Sequence, residues 1–90
     1  PLSVAQNQFQ NFTLYPNPNK GNFTVQFNSN STNDVSIWVH DISGRSIFKN
    51  KYTNTGLFSQ NLQLDNVQTG VYLVTVEDGD TRVVKRIVIQ

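Results

Sequence analysis

His40, Asp41 and Ser43 stand close together and are the residue types of a hydrolytic triad. In such a triad the histidine takes the serine proton while the carboxylate orients the imidazole. The chain has one histidine. Adjacent residues on a strand point to opposite faces, so His40 and Asp41 on an extended run do not act as base and orienter. The pattern reads instead as a strand end, with Asp41 accepting backbone N–H groups in a turn and Gly44 taking a positive φ. Glu77, Asp78 and Asp80 gather around Gly79 and offer carboxylate oxygens for calcium. Calcium takes about six to eight oxygens, and the EF-hand spacing is absent. Asp-Gly is also a strong hairpin signal. No catalytic residue, metal ligand or cofactor site is expected.

Two further groups suit binding rather than catalysis. Trp38 lies on the solvent-side alternation of its strand with His40 two residues on. An exposed aromatic strip there would stack on sugar or dock a partner; alternatively, a side chain such as Phe48 or Tyr52 packs across it. The stretch from Arg82 to Gln90 sets Arg82, Lys85 and Arg86 within an otherwise apolar strand. Such cations block edge-to-edge aggregation, or they mark an edge that a partner reads by strand addition or by charge. Both readings stay open.

Ninety residues make one domain. A net charge of +1 with few charged residues argues against a general nucleic-acid or anionic-membrane binder. No apolar run reaches the ~18 residues of a membrane helix, so membrane insertion is not expected. There is no cysteine, which removes disulfides and thiolate metal sites. With no methionine and Pro1 first, the chain reads as a piece of a longer protein. Asn11-Phe12-Thr13, Asn22-Phe23-Thr24 and Asn30-Ser31-Thr32 match the N-glycosylation pattern, which chance readily produces in a chain rich in Asn and Thr.

The elements that must position these groups alternate with period two. Residues 1–10 have no period and read as a linker tail; residues 11–90 read as the domain. Phe12 and Leu14 mark a short edge strand ending at Tyr15. Phe23, Val25 and Phe27 share a face in the second strand, and Val35, Ile37 and Val39 in the third. The fourth, around Ile47, Phe48, Lys49, Lys51 and Tyr52, alternates less cleanly. Phe58, Leu62 and Leu64 mark a fifth. The sixth carries Tyr72, Val74 and Val76 on one face and Val71, Leu73 and Thr75 on the other, so it belongs inside a sheet. Val83 to Ile89 forms the seventh. Turn signals at Asn28–Asn33, Ser43-Gly44, Asn54-Thr55-Gly56, Asp65–Gly70 and Asp78-Gly79-Asp80 separate them. Regular short strands with such turns predict an all-β antiparallel sandwich or barrel.

Pro16-Asn17-Pro18 followed by Gly21 cannot form an interior ladder strand, because proline lacks the N–H. It reads as a rigid turn, with Gly21 at a positive φ or passing close to a neighbour. Taken in order, Tyr15-Pro16-Asn17-Pro18 with Gly21, Asp41-Ile42-Ser43-Gly44-Arg45, and Leu64 through Gly70-Val71-Tyr72-Leu73-Val74 to Lys85-Arg86-Ile87-Val88-Ile89 resemble the type A C-terminal sorting domain of the type IX secretion system of Bacteroidota. The likeness covers about residues 12–90. It implies a small immunoglobulin-like sandwich of about seven strands.

The resemblance also implies a non-catalytic secretion signal attached to an N-terminal cargo. That cargo would fold in the periplasm, be recognised by the outer-membrane translocon, and reach the cell surface or medium. In many relatives a sortase-like cysteine peptidase removes the domain, which places a cut in or before the linker. Many relatives end in a basic residue, whereas this chain ends Ile89-Gln90. On this reading Pro16, Asn17, Pro18 and Gly21 shape the first turn. Asp41, Gly44 and Arg45 form a rigid hairpin that presents a guanidinium. Gly70 and Tyr72 anchor the central strand, and Lys85 and Arg86 lie on the strand a translocon touches. The rivals are an adhesive or carbohydrate-binding sandwich with Trp38 and Tyr52 as its platform, and a structural spacer.

Overall fold

In the computed structural model the described residues are 9–29, 33–54, 56–79 and 81–90. They form seven strands: β1 Phe9–Tyr15, β2 Asn22–Ser29, β3 Val35–Asp41, β4 Ser46–Tyr52, β5 Leu57–Gln63, β6 Gly70–Asp78 and β7 Thr81–Ile89. One sheet has the order β1-β2-β5 and the other β4-β3-β6-β7, and every strand pair is antiparallel. The chain crosses between sheets after β2, β4 and β5 and returns as a Greek key. Of the sandwich or barrel that strand spacing and turn signals predict, this is the sandwich, in the small immunoglobulin-like form that the family resemblance implies. As expected, β1 lies at an edge and β6 inside.

Period-two alternation explains which faces meet. Phe23, Val25 and Phe27 of one sheet and Val35, Ile37, Val39, Tyr72, Val74 and Val76 of the other are buried, joined by Phe58, Leu62 and Ile87. Each of these side chains withdraws apolar area from water, about 1.5–3 kcal/mol for a fully buried large residue. Phe27 holds the three-stranded sheet together on its inner face. Its ring stacks on Phe12 at 5.7 Å and on Phe58 at 4.9 Å, with Tyr52 meeting Phe58 edge-on at 6.0 Å.

The untidy alternation of β4 has a structural cause. The register slips between Val39↔Phe48 and His40↔Ser46, so one residue of β4 is extra and a bulge forms. Ile47 and Phe48 thereby both pack against the core. The neighbours of Trp38 differ from those expected. Phe48 and Tyr52 pair with Val39 and Val35 and face inward, while Lys49 pairs with Trp38. The Lys49 ammonium lies 4.2 Å from the indole centroid, and the His40 ring meets the indole edge-on at 6.5 Å. Trp38 and Tyr52 therefore sit on opposite sides of the sheet and form no common aromatic platform.

Of the expected linker over residues 1–10, Phe9 and Gln10 instead pair with β2 as the start of β1. Residues 1–8, the glycosylation match at Asn30 and the carboxylate of Asp80 lie outside the described residues. Asp78 pairs with Thr81 across the last turn and is buried at 1% exposure. Its Oδ2 accepts from the Ser29 hydroxyl at 2.6 Å. Glu77 is bound by Arg82 at 2.6 Å, so the two neighbouring acids face different partners.

Candidate recognition pole

Asp41 builds the first part of the site. Its Oδ1 accepts from the Ser43 hydroxyl at 2.7 Å, the Arg45 N–H at 2.9 Å and the Ser43 N–H at 3.1 Å. The backbone closes the same turn, with Gly44 N–H donating to Asp41 O and Asp41 N–H to Arg45 O, both at 3.0 Å. Gly44 has φ +96° as its position demands. The Ser43 hydroxyl, then the Arg45 and Ser43 N–H groups, with the Arg45 guanidinium adding least, hold the Asp41 carboxyl below its ordinary range. Arg45 Nε stands 3.2 Å from Oδ2 while the side chain is 73% exposed, so the pair fixes direction more than it stabilises. Ser43 thus bonds the carboxylate directly, and His40 faces the other side of β3. No triad forms from these three residues.

The strand register carries this turn to the rest of the pole. Asp41 pairs with Tyr72, Tyr72 with Ile87, and Gly70 with Ile89. The Tyr72 ring is buried and its hydroxyl donates to Gln68 O at 2.7 Å. A tyrosine at this corner, bonded back to the chain a few residues upstream, is a hallmark of immunoglobulin-like sandwiches. It satisfies the phenol while the ring fills the core.

Residues 16–21 do more than turn. Both proline peptides are cis. Asn17 Nδ2 donates to Arg86 O at 3.1 Å, and its Oδ1 accepts from Val88 N–H at 3.0 Å. The side-chain amide thus supplies the donor and acceptor that a neighbouring strand would have brought. Asn19 continues the pairing through its backbone, donating to Val88 O at 3.0 Å and accepting from Gln90 N–H at 2.8 Å. Its own buried side chain bonds Pro16 O at 3.0 Å and Gly21 N–H at 2.8 Å. Gly21, at φ +106°, passes so close to the next sheet corner that a Cβ would lie 2.9 Å from Leu64 O and 3.2 Å from Val67 Cγ2.

The segment between β1 and β2 therefore clamps the outer edge of β7 and ties the two sheets at one end. Pro16, Asn17, Pro18, Gly21, Asp41, Gly44, Arg45, Gly70 and Tyr72 all gather at this pole. Phe9, where the chain enters, pairs with Ser29 at the opposite pole. Strands of this length separate the poles by about 25 Å.

Lys85 and Arg86 part company. Lys85 shares the inward alternation with Val83 and Ile87 and reaches the open flank, its ammonium 5.8 Å from the Phe12 ring centroid. Arg86 points outward beside Leu73. Strand addition to β7 is also narrowed. Arg86 O, Val88 N, Val88 O and Gln90 N are already taken by the clamp. The clamp residue that motif reading passed over is Asn19, which looks like an ordinary turn residue. Its signal was position: two prolines leave the segment short of N–H donors, so asparagines must supply them.

A cysteine-free immunoglobulin-like sandwich, with its distinctive residues drawn to the pole away from the incoming chain, is a module that presents a surface. Among the described residues no three His, Asp or Glu side chains cluster as for a metal. Comparison with known proteins gives the family. The chain belongs to the family described as the secretion system C-terminal sorting domain, which it matches over residues 13–90. It is also 28% identical over 82 residues to ulvan lyase NLR42 of Nonlabens ulvanivorans, across 91% of this chain and 15% of that protein. The shared part is thus a small fraction of the lyase. Domains of this family are non-catalytic type IX secretion signals of larger secreted proteins. They are attached to a cargo, recognised by the secretion machinery, and exported to the cell surface or medium.

Proposed function

We propose that the outer-membrane type IX translocon reads this domain at the clamped pole, after the cargo has passed through the periplasm. We further propose that a sortase-like cysteine peptidase cuts within or before residues 1–10. One observation supports the choice of pole: three motifs far apart in sequence converge there, at the end opposite the incoming chain. A partner approaching that end meets the exposed Arg45 guanidinium and the Asn17 clamp without meeting the cargo. Arginine offers planar, bidentate contact that lysine cannot give.

The test is export of a fluorescent protein carrying all 90 residues at its C-terminus, in a host with a type IX system. The intact fusion should reach the surface or medium. Arg45→Gln should leave the melting curve unchanged and lower export. Normal export of a folded Arg45→Gln fusion would remove the guanidinium from the site. An intact, folded fusion held in the periplasm would sink the sorting reading in that host.

A further inference from the structure

The two outer faces of the sandwich differ in charge. The face of β1-β2-β5 presents Thr13, Tyr15, Thr24, Gln26, Ser59 and Asn61, with no charged side chain. The register of the other sheet lays out rows: Lys51-Ser36-Glu77-Arg82, then Lys49-Trp38-Thr75-Val84, then Ser46-His40-Leu73-Arg86, then Val71-Val88. Four cations stand on that face against Glu77, whose Oε2 already accepts from Arg82 Nε at 2.9 Å and Nη2 at 2.6 Å. Apolar groups are left in water toward its β7 side, with Val84 50% exposed on β7 and Val71 36% exposed at the end of β6. Thr75 is small and sits between Trp38 and Val84. A shallow depression of about 360 Å³ opens above it, bounded by Trp38, His40, Gly44, Ser46 and Arg82.

Exposed apolar groups beside an aromatic ring and arginine side chains, flanked by cations on β4 and β7, have the make-up of a protein-binding surface. A sugar would need a free indole face, and Lys49 covers that face. A second copy of this chain would bring like charge against like, which costs several kcal/mol in a juxtaposed interface. We propose that the outer face of β4-β3-β6-β7, which runs on to the clamped pole at Gly44 and Val71, is a docking surface for an acidic protein segment. One apolar side chain of that segment seats over Thr75, and flanking carboxylates meet Lys49, Arg82 and Arg86.

The sorting reading supplies the setting of the test but not its outcome. A photo-crosslinking amino acid is placed at Val84, or at Gln26 on the uncharged face, in the 90-residue chain fused to the exported fluorescent protein. Adducts are read in whole cells, and the joined peptides are sequenced. The expected result is an adduct from Val84 to a peptide rich in Asp and Glu, with little from Gln26. Lys49→Glu with Arg86→Glu should cut that adduct about tenfold by charge repulsion. If those changes lower the melting temperature, Lys49→Gln with Arg86→Gln replaces them. Four results overturn the proposal: no Val84 adduct, an adduct to glycan or to a second domain, equal yields from both faces, or indifference to the charge changes. A fusion that stays inside the cell yet gives the acidic Val84 adduct supports this surface while counting against sorting.

Discussion

The side-chain amide of Asn17 bridges two backbone groups of β7, donating to Arg86 O at 3.1 Å and accepting from Val88 N–H at 3.0 Å. One planar group thus does what a two-residue stretch of strand does elsewhere. Each such bond is worth about 0.5–1.5 kcal/mol net. Asn17→Ala should therefore destabilise by about 1–2 kcal/mol in denaturant titration, and amide exchange at Val88 should accelerate with it. Asn17→Asp keeps the acceptor for Val88 but sets a second carboxylate oxygen against Arg86 O, acceptor against acceptor, so it should destabilise at least as much as the alanine. An unaltered exchange rate at Val88 in Asn17→Ala would show that the clamp is held by Asn19 alone.

Two glycines at positive φ should respond unequally to alanine. At Gly44 a Cβ meets nothing within 4 Å, so Gly44→Ala carries conformational strain alone, about 1 kcal/mol. At Gly21 the same strain is joined by a backbone oxygen 2.9 Å from the added carbon. Gly21→Ala should cost more, about 2 kcal/mol or above. Equal losses in chemical denaturation would mean that the Leu64 corner moves aside freely.

At Tyr72 the ring and the hydroxyl can be separated. Tyr72→Phe removes only the bond to Gln68 O and should cost about 1 kcal/mol. Tyr72→Ala empties a buried aromatic site and should cost about 3–5 kcal/mol. Thermal melts of the two variants check the order, and a loss below about 1 kcal/mol for the alanine variant would contradict full burial.

Asp41 predicts an acid-side weakening. Its carboxyl is held below the ordinary range by Ser43 and Arg45, so the folded state favours the charged form. That stability is present above the unfolded carboxylate pKa of about 3.9. It is lost as pH falls from there through the lower folded value. The stability gap between the native chain and Asp41→Asn should hold near neutral pH and shrink below about pH 4. Denaturation midpoints across that range measure it. A gap independent of pH would show that the turn does not need the charge.

The strands were legible in the sequence because burial on one face writes itself as period two. Phe23-Val25-Phe27 and Val35-Ile37-Val39 could hardly fold otherwise. The Asp41-to-Gly44 turn was legible for the same local reason, since an Asp and a Gly at fixed offsets suffice to specify it. The clamp was not. Asn17 and Arg86 are joined across 69 positions, and a side chain bonding distant backbone leaves no periodic trace. What proline removes was readable; where asparagine would make it good was not. The neighbours of Trp38 were missed because the bulge at Val39/His40 shifts the register of β4, and a bulge is set by both strands at once. Lys85 and Arg86 read as one basic pair, although alternation on a strand already sends them to opposite faces.

The clamp also makes the pole a record of completeness. Asn17 is close to the start of the domain and Val88 close to its end, 71 positions on. Any chain that stops before β7 is finished leaves the Asn17 amide with nothing to hold, and the pole is never assembled. A chain that is whole but unfolded fails in the same way. A receptor that reads this end would therefore inspect, in a single contact, whether β7 is present and whether the domain has folded.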